Sequence, residues 1–182
     1  MTSSPEPPQF NLYTTTIPLY LRAMTNLLHQ LQKASSHSLS SGTPPSYYLN
    51  ARLYPDMQGL PYQIQRLTDT AKFTLVRVLG HDPTLLKMED NESTFPELTA
   101  RVEKTMALLQ GVKEEEMAEV GRAGTKEVVL TRADGFRWET GPYEYVTKFA
   151  MPNFWFHVSM AYAILRMCGV PVGKNDFIGT EA

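Results

Sequence analysis

The sequence predicts an all-α fold, a four-helix bundle with one small β-hairpin before its last helix. Three observations lead there. Segments of bundle length repeat apolar residues at i, i+3, i+4 and i+7. The last of them, within Tyr143–Gly179, is apolar nearly all the way round, and a helix without a polar face has to bury itself among others. Two β-prone runs flank Asp134-Gly135, a strong hairpin turn signal.

Residues 1–12, rich in Pro and Ser at their start, are expected to form a disordered tail, and 13–179 a single domain. The first helix should start after Thr16, an N-cap residue, with Pro18 in its first turn; Ile17, Tyr20, Leu21, Met24, Leu27, Leu28 and Leu31 make its stripe. His29 lies off that stripe and should be solvated. Lys33–Ser46 is crowded with turn residues and is expected to be a flexible loop, long enough for a crossover. The second helix takes Pro61 in its first turn, buries Leu60, Ile64, Leu67, Ala71, Leu75 and Val78, and ends at Gly80. The third opens on a capping box, Thr94 with Glu97, and continues through Leu98, Val102, Met106 and Leu109 to Gly111. The charged run Lys113–Glu127 is expected to be a solvated linker, with a short helical turn as the alternative. Glu127–Thr131 and Gly135–Thr140 form the hairpin, which must pack on the helices because a lone hairpin is marginal in water. The last helix starts at Pro142, should kink at Pro152, and ends at Gly169.

Lys+Arg total 17 against Asp+Glu 19 in 182 residues, a net charge of -2, so the clustered basic surface that nucleic acid requires is missing. A membrane partner is not expected either. Lys148, Asn153, His157 and Arg166 interrupt the most apolar stretch well short of the ~20 residues a span needs. The first ten residues do not read as a signal peptide, and the expected location is cytoplasmic. The one cysteine, Cys168, lies in an apolar helix and reads as a buried thiol.

Phosphate-binding glycine loops, H-E-x-x-H, G-x-S-x-G and the E-x-x-H of di-iron bundles are all missing from the sequence. What remains is a polar patch on the last helix. Asn153 and His157 are one turn apart on one face, and Tyr162 lies on an adjacent one. A buried imidazole needs partners, so this patch is either a tie between helices or the wall of a pocket. On the second helix, Asp69 and Lys72 make a surface ion pair, or Asp69 faces inward and orients His157. Gln65 and Asp56 are further ligand-binding candidates. A neutral imidazole at 157 would titrate near physiological pH.

The motifs ARLYPDM, TFPELTARVEKT, PNFWFH, AYAILRMCGV and GKNDFIG, with Gln63–Gln65 and Thr68–Lys72, span roughly Ile17 to Gly179. In that order they resemble an uncharacterised bacterial and fungal family of the DinB/YfiT-like superfamily. The resemblance implies a DinB-like four-helix bundle, often dimeric. Better-known DinB-like proteins hold a divalent metal with one histidine on the second helix and an H-x-x-x-H pair on the last. Here position 153 is Asn, position 161 is Ala, and the second helix has no histidine, so neither a metal nor another cofactor is expected. Two functions follow. Either the protein handles a small organic ligand, as a metal-independent enzyme or a binder, with His157 and Asp69 as reactive groups and Asn153, Tyr162, Gln65 and Asp56 around the ligand. Or it is a non-catalytic, homodimeric bundle.

Overall fold

A computed structural model describes residues 10–131 and 134–179. Four long helices make the bundle: α1 (Ile17–Ser41), α3 (Leu60–Thr74), α4 (Phe95–Gln110) and α7 (Met151–Met167). α3 packs most closely on α7 and then on α4, while α1 packs on α4 and α7. The ring therefore runs α1–α4–α3–α7. The first two long helices, α1 and α3, face each other across its diagonal. The chain makes that crossing through the short helix α2 (Pro45–Leu49) and the loop after it. The core is drawn from the stripes visible in the sequence, Tyr20, Met24, Leu27 and Leu31, then Ile64, Leu67 and Ala71, then Leu98, Val102 and Leu109, and from Phe154, Ala161, Ile164 and Leu165 of the apolar last helix, all buried.

Pro83–Leu86 forms a 3-10 turn between α3 and α4. At the start of α4, the Glu97 backbone N–H donates to Thr94 Oγ1 at 3.3 Å, and the Glu97 carboxylate accepts from the Ser93 N–H at 2.8 Å, one residue ahead of the ideal box. β1 (Val128–Thr131) and β2 (Arg137–Thr140) pair antiparallel, Val128 with Thr140 and Leu130 with Trp138. Val128 and Leu130 are buried, so the hairpin packs on the helices as expected. A short helix α6 (Pro142–Tyr145) leads into α7. Residues 132–133 of the expected hairpin turn lie outside the described residues, as do residues 1–9 of the expected tail. Leu12, placed in that tail, is buried in the core.

Four expectations need correction. The loop Lys33–Ser46 is mostly helix, because α1 continues to Ser41. Ala34 and Ser38 lie four apart, in line with the buried stripe, and both are sealed; Ser38 Oγ then donates to the Thr43 carbonyl, and Gly42 ends the helix at φ 66°. The charged run after Lys113 contains α5 (Glu114–Ala123). Three glutamates occupy its first turn, where the helix dipole favours negative charge, and Met117 anchors it in the core. The irregularity near Pro152 precedes the proline: Val146–Ala150 is a π-helical turn, and regular α7 begins at Met151. Nor is α7 covered all round, since Phe156 is 51% exposed. Cys168 is buried, which raises its thiol pKa. Among the described residues no helix is long and apolar enough to cross a membrane.

Two polar arrangements hold elements to the bundle. The short helix α8 (Lys174–Ile178) lies on α1, where Asn26 Nδ2 donates to the Phe177 carbonyl and Gln30 Nε2 to that of Asp176, each at 3.0 Å. Lys33, one turn further on, pairs with the Asp176 carboxylate. The second is centred on Arg101 of α4, whose side chain is 1% exposed. Its guanidinium group makes four hydrogen bonds and one further ion pair. Nε donates to Thr68 Oγ1 (2.8 Å), Nη1 to the Glu89 carbonyl (3.0 Å) and Glu92 Oε1 (2.8 Å), and Nη2 faces Asp69 and Asp90 at 3.0 Å each. Gln65 Nε2 donates to the other Glu92 oxygen at 2.9 Å, and Arg66 pairs with Asp69 and Asp90. Burial would favour protonated Glu92, yet its pKa is held below the usual carboxylate value by the hydrogen bonds from Arg101 and Gln65.

Removing one member of a buried charge cluster leaves the others uncompensated. Arg101→Leu is therefore expected to cost about 3–5 kcal/mol in urea denaturation. Arg101→Lys should recover only part of that loss, since an ammonium offers three donors in place of five.

Candidate functional site

The seam between α3 and α7 holds the polar patch read from the sequence. Asn153 Nδ2 donates to Thr70 Oγ1 at 2.7 Å, and His157 Nδ1 lies 2.8 Å from Gln63 Oε1. Moving up α7 by four residues moves down α3 by seven, so the two helices run antiparallel through the site. Gln63 is set by a bond on its other side, because its Nε2 donates to the Gln58 carbonyl at 2.9 Å. Its amide oxygen therefore faces the imidazole, Nδ1 must carry the proton, and the lone pair falls on Nε2. Among the described residues no hydrogen bond reaches that nitrogen. The ring is 8% exposed. Tyr62 and Phe156 stand edge-on to it, with centroids at 6.1 and 5.2 Å.

His157 does not titrate near physiological pH. Burial lowers its pKa to about 4, with a smaller contribution from the Arg66 guanidinium. The expectation failed because it gave weight to the imidazole and none to its surroundings. Gln63 was missed as well, though it left a signal. It sits three after Leu60 and four before Leu67, and is a polar residue inside a buried stripe.

The remaining candidates are dispersed. Asp69 does not orient His157; Gln63 does that. Six residues separate 63 from 69 on α3, an advance of roughly 240° around the axis, which turns Asp69 toward α4 and Arg101. Nor are Asp69 and Lys72 a surface pair, since the Lys72 side chain is 5% exposed. Gln65 belongs to the Arg101 cluster through Glu92. Asp56 is exposed in the loop before α3. Tyr162 lines a cavity of about 380 Å³ with Ser159, Lys174, Phe177 and Ile178. Of five cavities of about 310–440 Å³ among the described residues, His157 lines none. Beside His157 lie the Tyr62 and Phe156 rings, with the Arg66 guanidinium over the Tyr62 ring.

The donor set does not fit the divalent metal of better-known DinB-like proteins. Among the described residues no group of three or more His, Cys, Asp or Glu side chains could share an ion. Against His157, α3 presents the amide of Gln63, and Asn153 and Ala161 occupy the positions one turn to either side on α7.

A crystal structure of a DinB family member protein from Shewanella denitrificans is similar, at 31% identity and a TM-score of 0.82, with 92% of each chain covered. No curated protein matches the chain significantly. A family described as "Domain of unknown function (DUF1993)" matches residues 12–178, from buried Leu12 to the end of α8. The chain belongs to that family, and its bundle is DinB-like.

Proposed function

We propose that the protein binds a small organic molecule at the α3–α7 seam, over the Nε2 of His157, without a metal. One observation carries this reading. The relay from the Gln58 carbonyl through Gln63 to His157 fixes an uncharged tautomer and leaves one nitrogen lone pair unused. A group whose pKa is about 4 is a poor proton acceptor at neutral pH, so binding is favoured over acid–base turnover. The ligand would carry an N–H or O–H donor for Nε2 and a flat apolar part for Tyr62 and Phe156. The nearby Arg66 guanidinium disfavours a cationic one. The alternative is a non-catalytic homodimer, and the exposed aromatics Tyr62, Phe73 and Phe156 favour it.

A thermal-shift screen of neutral donors against the wild type and His157→Gln tests the binding reading. A glutamine can still donate to Gln63, so the variant should lose about 1 kcal/mol or less of stability while losing the hits. Hits that survive in the folded variant would refute the proposal. The homodimer is tested by light scattering, in which a monomer at high concentration would remove it.

The linkage of His157 to folding gives a third expectation. In the unfolded chain the imidazole takes up a proton near pH 6.5, and in the fold only near 4, so the unfolded state binds more protons between those values. The stability is complete above the upper value and falls as the pH drops toward the lower. After allowance for solvent screening the loss is roughly 1–3 kcal/mol, and His157→Gln should flatten this part of the urea-denaturation profile.

A further inference from the structure

The face of α3 turned away from His157 bounds one of these cavities, of about 310 Å³. Asp69, Lys72 and Phe73 supply one wall, and the turn Pro83–Leu86 with Lys87 and Met88 supplies the other. The walls are mostly apolar, with one amine set into them. The Lys72 side chain is 5% exposed, and its Nζ lies 2.9 Å from Asp69 Oδ1. Lys87, on the rim, is exposed. From the volume and lining, we propose that Lys72 is a carbonyl-reactive amine, which condenses in this cavity with a small apolar aldehyde or ketone to form an imine.

The Arg101 cluster is the reason that this amine can be free. Asp69 is already paired with Arg66 and Arg101, each at 3.0 Å. A third cation is redundant for it, and loss of the Lys72 proton leaves no carboxylate without a partner. The charged groups around the amine are Asp69, Asp90 and Glu92 on one side, and Arg66, Arg101 and Lys87 on the other. Burial is the largest influence on the amine and lowers its pKa. Arg101 lowers it too, whereas Asp69 and Asp90 oppose the shift. A desolvated lysine beside other cations is a familiar route to a nucleophilic amine at neutral pH.

In the reaction the neutral Nζ attacks the carbonyl carbon and a C–N bond forms. One nitrogen proton passes to the alkoxide oxygen, giving the carbinolamine; the second passes by way of Asp69 to the carbinolamine hydroxyl, which leaves as water as the C–O bond breaks and the C=N bond forms. The products are an imine and one water, and no oxidant or reductant takes part.

The test uses the full chain, benzaldehyde and cyanoborohydride at neutral pH, with the reduced adducts mapped by peptide mass spectrometry. Lys72 should be labelled about tenfold faster than Lys87, Lys148 or Lys174, and urea should abolish the lead. The lead should extend to lower pH, because burial favours the neutral form of the Lys72 amine. A lysine that serves only to balance Asp69 would be labelled more slowly than Lys87, and that result would overturn the proposal. Met88→Trp, which fills the cavity, should return Lys72 to the surface rate and leave Lys87 unchanged; a retained lead there would also count against it. His157→Gln should not alter the labelling, so this site and the seam over His157 stand or fall separately.

Discussion

Arg101 is the interaction on which the organisation of α3 and α4 depends. A guanidinium out of water is tolerable only if acceptors surround it, and here they come from two parts of the chain. Thr68 and Asp69 fix its position against α3. Glu89, Asp90 and Glu92 bring the segment before α4 over the same face. That segment continues back to Met88 and the turn at Pro83–Leu86, which form the far wall of the cavity at Lys72. The position of this wall is therefore set by an electrostatic requirement.

The two sides of α3 meet that requirement in opposite ways. Toward α7 its polar groups are uncharged amides, a hydroxyl and a neutral imidazole, joined one to one by hydrogen bonds. Toward α4 they are ions that compensate one another in a group. Burial acts on both. On the first side it removes the charge from His157, and on the second it works against the charge of Lys72 while Arg101 keeps Glu92 ionised.

Much of the bundle was legible because apolar periodicity is a local signal. The stripes from Ile17, Leu60 and Leu98 read directly into the core. The end of α1 and the whole of α5 were hidden for a shared reason: serines and glutamates look like loop, and only the partners of Ser38 and Met117 settle the matter. His157 and Asn153 were found from their spacing on one helix. Their partners Gln63 and Thr70 lie 94 and 83 residues away in sequence, and Arg101 is 32 residues from Asp69, so no periodicity within a helix could pair them.

The strap formed by α8 bears on the order in which the fold is completed during synthesis. Asn26 and Gln30 are among the early residues of the chain, yet their backbone acceptors follow 151 and 146 residues later. Until α8 emerges, this flank of α1 has neither its polar partners nor the cover of Phe177. An unfinished chain on the ribosome would expose one side of its first helix, and that side closes only when nearly all of the described sequence has been made.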